Sequence, residues 1–293
     1  MSDTPDRMDD KIALITGATN GIGLITARAL AKRGATVVLV GRDTSRTERA
    51  AQEIRRQTPG STVHSLLADL SSQAQVRRLA KDIQTRFPRL DVLVNNAGAV
   101  FAKRQVSVDG IEMTLALNHL APFLLTNLLL DSLKASDQAR IVTVASAAHM
   151  GMRIPFDDLN HEHGRYQNFV VYGQSKLMNI MFTYELARRL QGTTVTANAL
   201  HPGFVATNFG KSNGGWWNTV FALIRPFAIS PEQGAQTSIY LASSPDVSTV
   251  SGQYFAKRHP VKSSSASYDR EAQQRLWTVS EELTAPSADR VVS

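Results

Sequence analysis

The chain has 293 residues, of which 43% are hydrophobic and 19% are charged, the proportions of a globular protein with one domain or two. It contains no Cys, which excludes disulfides, zinc sites built on thiolates and a Cys nucleophile. The net charge of +7 comes from scattered Lys and Arg residues without a long basic block, which argues against a nucleic-acid partner.

The N-terminus, residues 1–10, is polar and acidic and is predicted to be flexible. Its composition differs from that of a secretory signal peptide or an organelle transit peptide. Together with the absence of Cys, this composition leads us to expect a cytoplasmic protein.

The first apolar run, Lys11 to Thr16, ends in a glycine-rich turn that leads into a helical pattern. The turn reads Gly17-Ala18-Thr19-Asn20-Gly21-Ile22-Gly23. A strand, a glycine turn and a helix in this order favour a nucleotide-phosphate site, because glycines let the backbone approach a pyrophosphate that then lies against free N–H groups. The glycine spacing is G-x-x-x-G-x-G rather than the dinucleotide fingerprint G-x-G-x-x-G. We predict that this turn binds phosphate.

The second predicted strand, Thr36 to Val40, is followed by Gly41 and Arg42, where a carboxylate would bind the ribose of NAD. A guanidinium at this place suits a 2′-phosphate, which Arg grips through two hydrogen bonds. The alternatives are a solvated surface Arg42 and its partial neutralisation by Asp43. We predict NADP (NADPH) as the cofactor, and no metal.

Two further strand ends carry polar side chains. After the strand Thr62 to Leu67, Asp69 either accepts from an adenine amino group or caps the next helix. After the strand Asp91 to Val94, the run Asn95-Asn96-Ala97-Gly98 either lines a nucleotide groove or makes a tight turn.

The run Met113 to Leu130 has no Asp, Glu, Lys or Arg, so it has to be considered as a membrane span. Residues that are costly in hydrocarbon interrupt it, namely Asn118, His119, Pro122 and Asn127. We predict a buried helix and no integral membrane segment, with a homodimer contact as an additional role. Asn118 needs a partner there, either as a structural amide that bends the helix or as part of a polar relay.

Two later segments place chemistry-bearing side chains near each other. The strand Arg140 to Val144 leads to Ser146, which is either a ligand-binding residue at the sheet edge or a simple turn residue. Tyr172 and Lys176 are four residues apart and share one face of a predicted helix, Tyr166 to Leu190. An ammonium beside a phenol lowers the phenol pKa and makes it a proton donor and acceptor. A solvated Tyr-Lys pair is the alternative.

The rest of the chain continues the alternation of strands and helices. A strand from Thr194 to Leu200 precedes a Pro-Gly turn, and residues 208–228 form an apolar, glycine-hinged excursion that contains Trp216 and Trp217. The residues alone allow a surface helix, a dimer contact or peripheral membrane contact, and the family resemblance given below implies that this excursion is a substrate lid.

These patterns predict one α/β domain of the Rossmann type, residues 11–256, with a doubly wound, seven-stranded parallel sheet flanked by helices. A C-terminal extension, residues 257–293, is predicted to carry one helix, Asp269 to Glu282.

In this order of motifs the chain resembles the short-chain dehydrogenase/reductase family from about Lys11 to Phe255. The motifs are Gly17-x-x-x-Gly21-x-Gly23, Asn95-Asn96-Ala97-Gly98, Ser146, Tyr172-x-x-x-Lys176 and Pro202-Gly203. The details resemble its retinol-dehydrogenase-like branch; they are Gly41-Arg42, Phe156-Asp157-Asp158-Leu159-Asn160, Tyr172-Gly173-Gln174-Ser175-Lys176-Leu177, His201-Pro202-Gly203 and Trp277-x-x-Ser280-Glu281. Many members of that branch begin with a membrane-anchoring helix, which this sequence does not show.

The resemblance implies that Tyr172 is the general acid in reduction and the base in oxidation. It implies that Lys176 holds the nicotinamide ribose and lowers the pKa of Tyr172, that Ser146 binds the substrate oxygen, and that Asn118 seats a water relaying protons to Lys176. With Arg42 included, the predicted cofactor-binding residues are Gly17, Thr19, Asn20, Gly21, Ile22, Arg42, Asp69, Leu70, Asn96, Ala97, Gly98, Tyr172, Lys176, Pro202, Gly203, Val205 and Thr207.

The function expected from these residues is hydride transfer between NADP(H) and a small lipophilic aldehyde, ketone or alcohol. The alternative is a dinucleotide-binding redox sensor or scaffold without turnover. A pure sensor would have no need of Asn118, Ser146, Tyr172 and Lys176 together, which favours the enzyme.

Overall fold

Eight strands form one sheet within residues 7–203 and 229–286, the parts of the chain that the computed structural model describes. In chain order they are β1 (Ile12–Thr16), β2 (Thr36–Gly41), β3 (Val63–Leu67), β4 (Val92–Asn95), β5 (Ala139–Val144), β6 (Val195–Leu200), β7 (Tyr254–Ala256) and β8 (His259–Pro260). Their order across the sheet is β3-β2-β1-β4-β5-β6-β7-β8. The order reverses between β1 and β4, which is where open α/β sheets bind their ligands.

The predicted Rossmann-type architecture is confirmed. The seven strands from β3 to β7 across the sheet pair in parallel, as the sequence predicted. The sequence missed β8, which pairs antiparallel with β7. A two-residue strand that contains a Pro carries almost no periodic signal, and Pro is tolerated there because the strand lies at an edge.

Helices cover both faces of the sheet. They are α1 (Gly21–Lys32), α2 (Thr44–Gln57), α3 (Gln73–Arg86), α4 (Met113–Leu115), a π-helical stretch (Ala116–Leu120), α5 (Ala121–Leu128), α6 (Leu130–Lys134), α7 (Asn168–Arg189), α8 (Pro231–Ser243) and α9 (Arg270–Thr284). Short 3-10 turns occupy Ala147–His149, Pro245–Val247 and Ser265–Tyr268. The helix predicted to carry the Tyr-Lys pair is α7.

The central strands are buried on both sides, which explains their continuous apolar sequences. In β1, Leu14 belongs to the core layer that includes Phe123 of α5 and Phe182 of α7. Its neighbours Ala13 and Ile15 point the other way, into the layer formed with α1, α2 and α8. All three β1 residues are fully shielded from solvent. The sheet therefore holds its carboxyl-end loops on a rigid frame.

The run predicted as one helix from Met113 to Leu130 is buried, as expected, but it is broken by the π-helical stretch around Asn118. Pro122 has no N–H to donate to the carbonyl of Asn118 four residues earlier, and this favours a wider turn at that point. Across the described residues, no helix combines the length and hydropathy that a bilayer crossing requires.

Both ends of the described chain pack against the domain. Met8, before the predicted boundary at Lys11, is buried and its N–H donates to the Arg33 carbonyl at 2.7 Å. At the other end, α9 packs on α5 and α7, where the Trp277 ring lies 5.0 Å from the ring of Phe123. The predicted lid, residues 208–228, lies outside the described residues.

His119, in the π-helical stretch, ties α9 to the domain. Its Nε2 lies 2.9 Å from the Ser280 hydroxyl oxygen, and its Nδ1 lies 3.4 Å from Oδ1 of Asn179. The ring is fully buried, and burial lowers the pKa of His119 from 6.5 to about 4. The imidazole is therefore neutral in the folded chain at neutral pH.

We expect acid to weaken the folded state partly through His119. Between pH 6.5 and about 4, His119 is protonated in the unfolded chain but not in the folded chain. The free energy of unfolding therefore decreases as the pH is lowered through this range. The loss from this group alone is roughly 3 kcal/mol once pH reaches the lower value. Urea denaturation across this range should show a shallower pH slope for His119→Asn than for the unmodified chain. His259→Asn, at an exposed position, is the control; equal slopes for all three would contradict the prediction.

Candidate active site

The carboxyl end of β1 carries a glycine turn that other residues hold in place. The Thr16 hydroxyl accepts the N–H groups of Asn96 and Ala97, both at 3.0 Å, and donates to the Val94 carbonyl at 3.3 Å. The Asn96 side chain donates to the carbonyls of Thr16 and Gly17 at 2.8 and 3.2 Å. The β4 end therefore braces the β1 turn. Thr16 was not predicted as a site residue, although its hydroxyl at the strand end was an available signal.

Close contacts explain why two positions of this turn are occupied by glycine. Gly17 has a φ of +63°, and a Cβ there would lie 2.9 Å from the Cα of Ala97. A Cβ on Gly23 would lie 2.5 Å from the Asn96 amide nitrogen and 2.6 Å from the Gly17 carbonyl oxygen. Side chains at either position would therefore push the helix and the turn apart.

The first turn of α1 has the features of an anion-binding site. Side chains cap the N-termini of α2, α3, α8 and α9, through Asp43, Ser72, Ser230 and Asp269. Asn20 at the start of α1 makes no such bond, and the first turn contains no acidic residue. The turn from Gly17 to Ile22, with Thr19 and Gly21, thus presents uncapped N–H groups and the positive end of a helix dipole. These residues fit the diphosphate of a dinucleotide.

Arg42 lies at the end of β2, exposed to solvent. Its neighbour Asp43 is engaged elsewhere, since its carboxylate accepts the Arg46 N–H and the Ser45 hydroxyl, each at 2.8 Å. These bonds hold the pKa of Asp43 below its usual value. Within the described parts of the chain, Arg42 forms no ion pair, and it is exposed at the place expected for a 2′-phosphate.

The end of β3 shows that one of the two roles predicted for Asp69, capping of the next helix, belongs to another residue. Ser72, not Asp69, caps α3, while the Asp69 carboxylate accepts the Ser71 N–H and hydroxyl at 3.0 and 2.7 Å. Asp69 therefore shapes the turn that precedes the helix, and Leu70 beside it is buried. The contact with adenine stays a prediction for both residues.

Gly98 marks the meeting point of the β4 end with α7 and the π-helical stretch. A Cβ on Gly98 would lie 3.2 Å from Oδ1 of Asn118 and 3.3 Å from Nζ of Lys176. Asn118 is fully buried: its amide nitrogen donates to the Ala99 carbonyl and the Ser175 hydroxyl at 2.9 and 3.0 Å. Its Oδ1 accepts the Ala99 N–H at 2.9 Å. These bonds favour the structural role of Asn118, and the proton relay stays a prediction.

Ser146 and Tyr172 meet at the end of β5. Their side chains are hydrogen bonded, and the Ser146 hydroxyl oxygen also accepts the Ala148 N–H at 3.2 Å, which leaves its proton to donate. One turn along α7, Nζ of Lys176 lies 5.6 Å from the centre of the Tyr172 ring. The ammonium donates to the Val144 carbonyl at 3.0 Å. Three predicted catalytic residues thus lie together at the sheet edge.

The pKa prediction for Tyr172 was wrong in direction. Burial raises the pKa of Tyr172 to about 12, although the hydrogen bond to Ser146 opposes this effect. Burial also lowers the pKa of Lys176 to about 8, because a buried ammonium loses its hydration. The helical spacing of the pair was correct, but spacing does not reveal how much solvent each group loses. At neutral pH the phenol therefore holds its proton firmly.

The turn after β6 approaches the same edge. Gly203 has a φ of +88°, and its N–H donates to Nδ1 of His201 at 3.2 Å. A Cβ on Gly203 would lie 2.8 Å from Cδ1 of Ile229. Pro202 lies in the same turn. The predicted cofactor residues Val205 and Thr207 lie outside the described residues.

The chain is similar to known proteins over most of its length. The sequence profile of a family described as short chain dehydrogenase matches residues 11–216. Human retinol dehydrogenase 13 is 41% identical over 289 residues, which cover 96% of this chain and 86% of that protein. A structure of an uncharacterized protein from Mycobacterium paratuberculosis matches with a TM-score of 0.79 and 35% identity, covering 96% of each chain.

A second solved structure carries a nucleotide. The Pseudomonas aeruginosa RhlG/NADP active-site complex matches with a TM-score of 0.69 and 26% identity. The match covers 87% of this chain and 97% of that one. The two chains therefore share the same overall fold over most of their length.

Proposed function

Because this chain belongs to the short-chain dehydrogenase/reductase family, and within it to the retinol-dehydrogenase-like branch, we propose that it reduces lipophilic aldehydes or ketones with NADPH. Membership of this family makes the protein a hydride-transfer oxidoreductase that acts on alcohols with a nicotinamide dinucleotide. The observation that carries the proposal is the hydrogen bond between Ser146 and Tyr172, one turn from the buried Lys176. The reverse reaction would oxidise the corresponding alcohol.

The chain's own residues account for the polar part of this reaction. The bound cofactor supplies the hydride. Ser146 and Tyr172 would donate hydrogen bonds to the carbonyl oxygen, where negative charge develops as the hydride arrives. Tyr172 would then give up its proton to that oxygen. The phenol is protonated at neutral pH, as a general acid in reduction requires, and the negative charge that develops on the substrate oxygen would favour release of its proton.

Lys176 has a positioning and electrostatic role in this proposal. Its ammonium, held on the Val144 carbonyl, would hold the nicotinamide ribose and stabilise the phenolate that remains after proton transfer. Glycine at position 98 leaves room beside this ammonium, where a Cβ would lie 3.3 Å from Nζ.

The alternative function is a dinucleotide sensor or scaffold without turnover. Such a protein would need the glycine turn and the α1 N-terminus, but not a hydrogen-bonded Ser146–Tyr172 pair beside a buried ammonium. A screen of NADPH consumption over aldehydes and ketones of increasing chain length separates the two. NADPH binding with no consumption of NADPH over the whole panel would favour the sensor.

Cofactor preference is predicted to depend on Arg42. Replacing Arg42 with Ala should weaken NADPH binding about 10- to 150-fold, which corresponds to losing about 1.5–3 kcal/mol of charged hydrogen bonding to the 2′-phosphate. NADH lacks that phosphate, so its affinity should change little. Titration of each nucleotide against the protein, followed by nucleotide fluorescence, measures both dissociation constants.

Arg56→Ala is the matched control for Arg42→Ala. It removes the same charge from an exposed position in the last turn of α2, roughly 20 Å along the helix. A general electrostatic effect would lower NADPH affinity similarly in both variants. Equal affinity of the unmodified protein for NADPH and NADH would overturn the preference itself.

The lipophilic substrate class rests on the sequence of the predicted lid and on the relatives. Residues 209–226 contain only Lys211 and Arg225 as charged side chains, together with Trp216 and Trp217. Retinol, named in the relative described above, is a lipophilic alcohol. An apolar cover suits such a substrate and excludes water from hydride transfer.

Replacing Trp216 and Trp217 together with Ala should raise the Michaelis constant for long-chain or isoprenoid aldehydes. The Michaelis constant for a small aldehyde should change little, because a small substrate makes few contacts with a lid. Steady-state kinetics with a chain-length series measures the difference. An equal loss for both substrate classes would identify a stability defect and remove the main support for a lipophilic substrate.

A further inference from the structure

His149 lies three residues after Ser146, and the surrounding backbone fixes its protonation. The ring is fully buried, with Nδ1 at 2.7 Å from the Ser146 carbonyl oxygen and Nε2 at 3.1 Å from the Ser264 backbone nitrogen. A carbonyl only accepts and a backbone N–H only donates. The proton must therefore be on Nδ1, and Nε2 must accept. Both nitrogens are satisfied only in this neutral tautomer.

The backbone of Ser264 is itself well anchored. The Ser263 hydroxyl oxygen lies 2.7 Å from the Tyr184 hydroxyl and 2.6 Å from the Ser267 hydroxyl, and the Ser263 N–H donates to the Tyr268 hydroxyl at 3.2 Å. The rings of Tyr184 and Tyr268 stack at 5.4 Å. Because Tyr184 belongs to α7, this segment of the C-terminal extension is fixed to the helix that carries Tyr172.

The ring of Tyr254 packs against the imidazole of His149. The Tyr254 ring meets the imidazole edge to face at 5.1 Å, and its hydroxyl lies 3.5 Å from Nδ1. On its other side, the Tyr254 ring is 5.7 Å from the ring of His201. The Tyr254 hydroxyl is thus farther from Nδ1 than the Ser146 carbonyl oxygen is, at 3.5 Å against 2.7 Å.

We propose that His149 is a positioning residue, which takes its orientation from Ser264 and holds the Ser146 carbonyl so that the Ser146 hydroxyl meets Tyr172. The extension thus takes part in placing the serine that binds the substrate oxygen. This proposal rests on the proposed function, since it assigns His149 to the same site. His149 itself touches neither substrate nor cofactor in this proposal; it acts through the backbone of Ser146.

Two isosteric variants separate the two hydrogen bonds of His149. Asn places an amide N–H near the position of Nδ1 and keeps the bond to Ser146, whereas Gln places an acceptor near Nε2 and keeps the bond to Ser264. We expect kcat to fall less than about fivefold in His149→Asn, and on the order of 100-fold in His149→Gln and His149→Ala, because small misplacements of a reacting group are costly. The melting temperatures of the Asn and Gln variants should be similar, since each loses one bond.

Ser264 offers a matched pair that leaves His149 unchanged. Its φ of −63° already fits proline, so Ser264→Pro removes the donor N–H at a compatible backbone position. Ser264→Ala keeps that N–H and removes a hydroxyl that the proposal does not use. We expect Ser264→Pro to lower kcat about threefold to tenfold, and Ser264→Ala to stay within about twofold of the unmodified chain.

The readouts distinguish the outcomes. Equal kcat in the Asn and Gln variants, or kcat that simply follows melting temperature through the series, would mean a purely structural histidine and overturn the proposal. Absence of turnover by the unmodified chain would overturn the proposed function and this inference together. Turnover that depends on Tyr172 but is insensitive to His149→Gln would overturn the inference alone.

Nuclear magnetic resonance provides a test without turnover. Long-range ¹⁵N–¹H spectra of the full chain, with the His149 signals assigned by comparison with His149→Asn, should show the proton on Nδ1 at neutral pH. A proton on Nε2 would contradict the two hydrogen bonds on which the proposal is built.

Discussion

Replacing Tyr172 with Phe is expected to lower turnover by roughly 10²- to 10⁴-fold while NADPH affinity stays nearly unchanged. The phenylalanine ring fills the same space on α7 but has no proton to give to the carbonyl oxygen. The hydroxyl lost is the one that bonds to Ser146 and whose pKa burial raises to about 12. Single-turnover measurement of NADPH oxidation reports the loss, and nucleotide fluorescence reports binding.

The matched control for this substitution is Tyr240→Phe, which removes a phenolic hydroxyl from half-buried Tyr240 on α8. The control should keep its turnover, since α8 lies against α1 on the face of the sheet opposite α7. Unchanged turnover in Tyr172→Phe would end the assignment of Tyr172 as the acid. Loss of turnover together with loss of NADPH binding would point instead to a collapsed site.

Trp277→Ala should reduce the free energy of unfolding by about 3–5 kcal/mol, the usual range for removing a large buried aromatic. The indole stacks on Phe182 with ring centres 5.8 Å apart and meets Phe123 edge to face. The Arg189 guanidinium lies 4.1 Å from the centre of the indole ring, and the indole N–H of Trp277 donates to Glu281 at 2.7 Å. The ring contacts with Phe123, Phe182 and Arg189 join α9 to α5 and α7, whereas the bond to Glu281 lies within α9. Urea denaturation followed by far-ultraviolet circular dichroism measures the change.

A conservative substitution calibrates this prediction. Trp277→Phe keeps one aromatic ring against Phe123 and Phe182 but loses the indole N–H and part of the surface under Arg189. We expect it to cost about half as much, in the range of 1–3 kcal/mol. A loss below about 1 kcal/mol in the Ala variant would mean that α9 contributes little to the stability of the domain.

The sequence predicted the place of the site better than its internal contacts. Gly17, Ser146 and Pro202 each follow a parallel strand, and such strands end at one edge of a sheet, so their proximity follows from the fold class. The spacing of Tyr172 and Lys176 likewise determines a shared helix face. These features are local, and local patterns are readable without the tertiary structure.

What the sequence did not predict depends on long-range packing. The bond between His149 and Ser264 joins residues 115 positions apart, and no periodic pattern marks either one. The π-helical stretch at Asn118 has a visible cause in Pro122, but Pro122 is equally compatible with a simple kink. The sign of the Tyr172 pKa shift depends on how much solvent the fold removes, which the sequence alone does not give.

The way α9 completes the core has a consequence for the order in which the chain is made. The apolar face formed by Phe123 and Phe182 is synthesised well before Trp277 covers it. At about 5–20 residues per second, the ribosome needs on the order of 5–20 s to add the residues between Phe182 and Trp277. During that interval the nascent sheet exposes its aromatic face, and chaperone binding or aggregation competes with the arrival of the last helix.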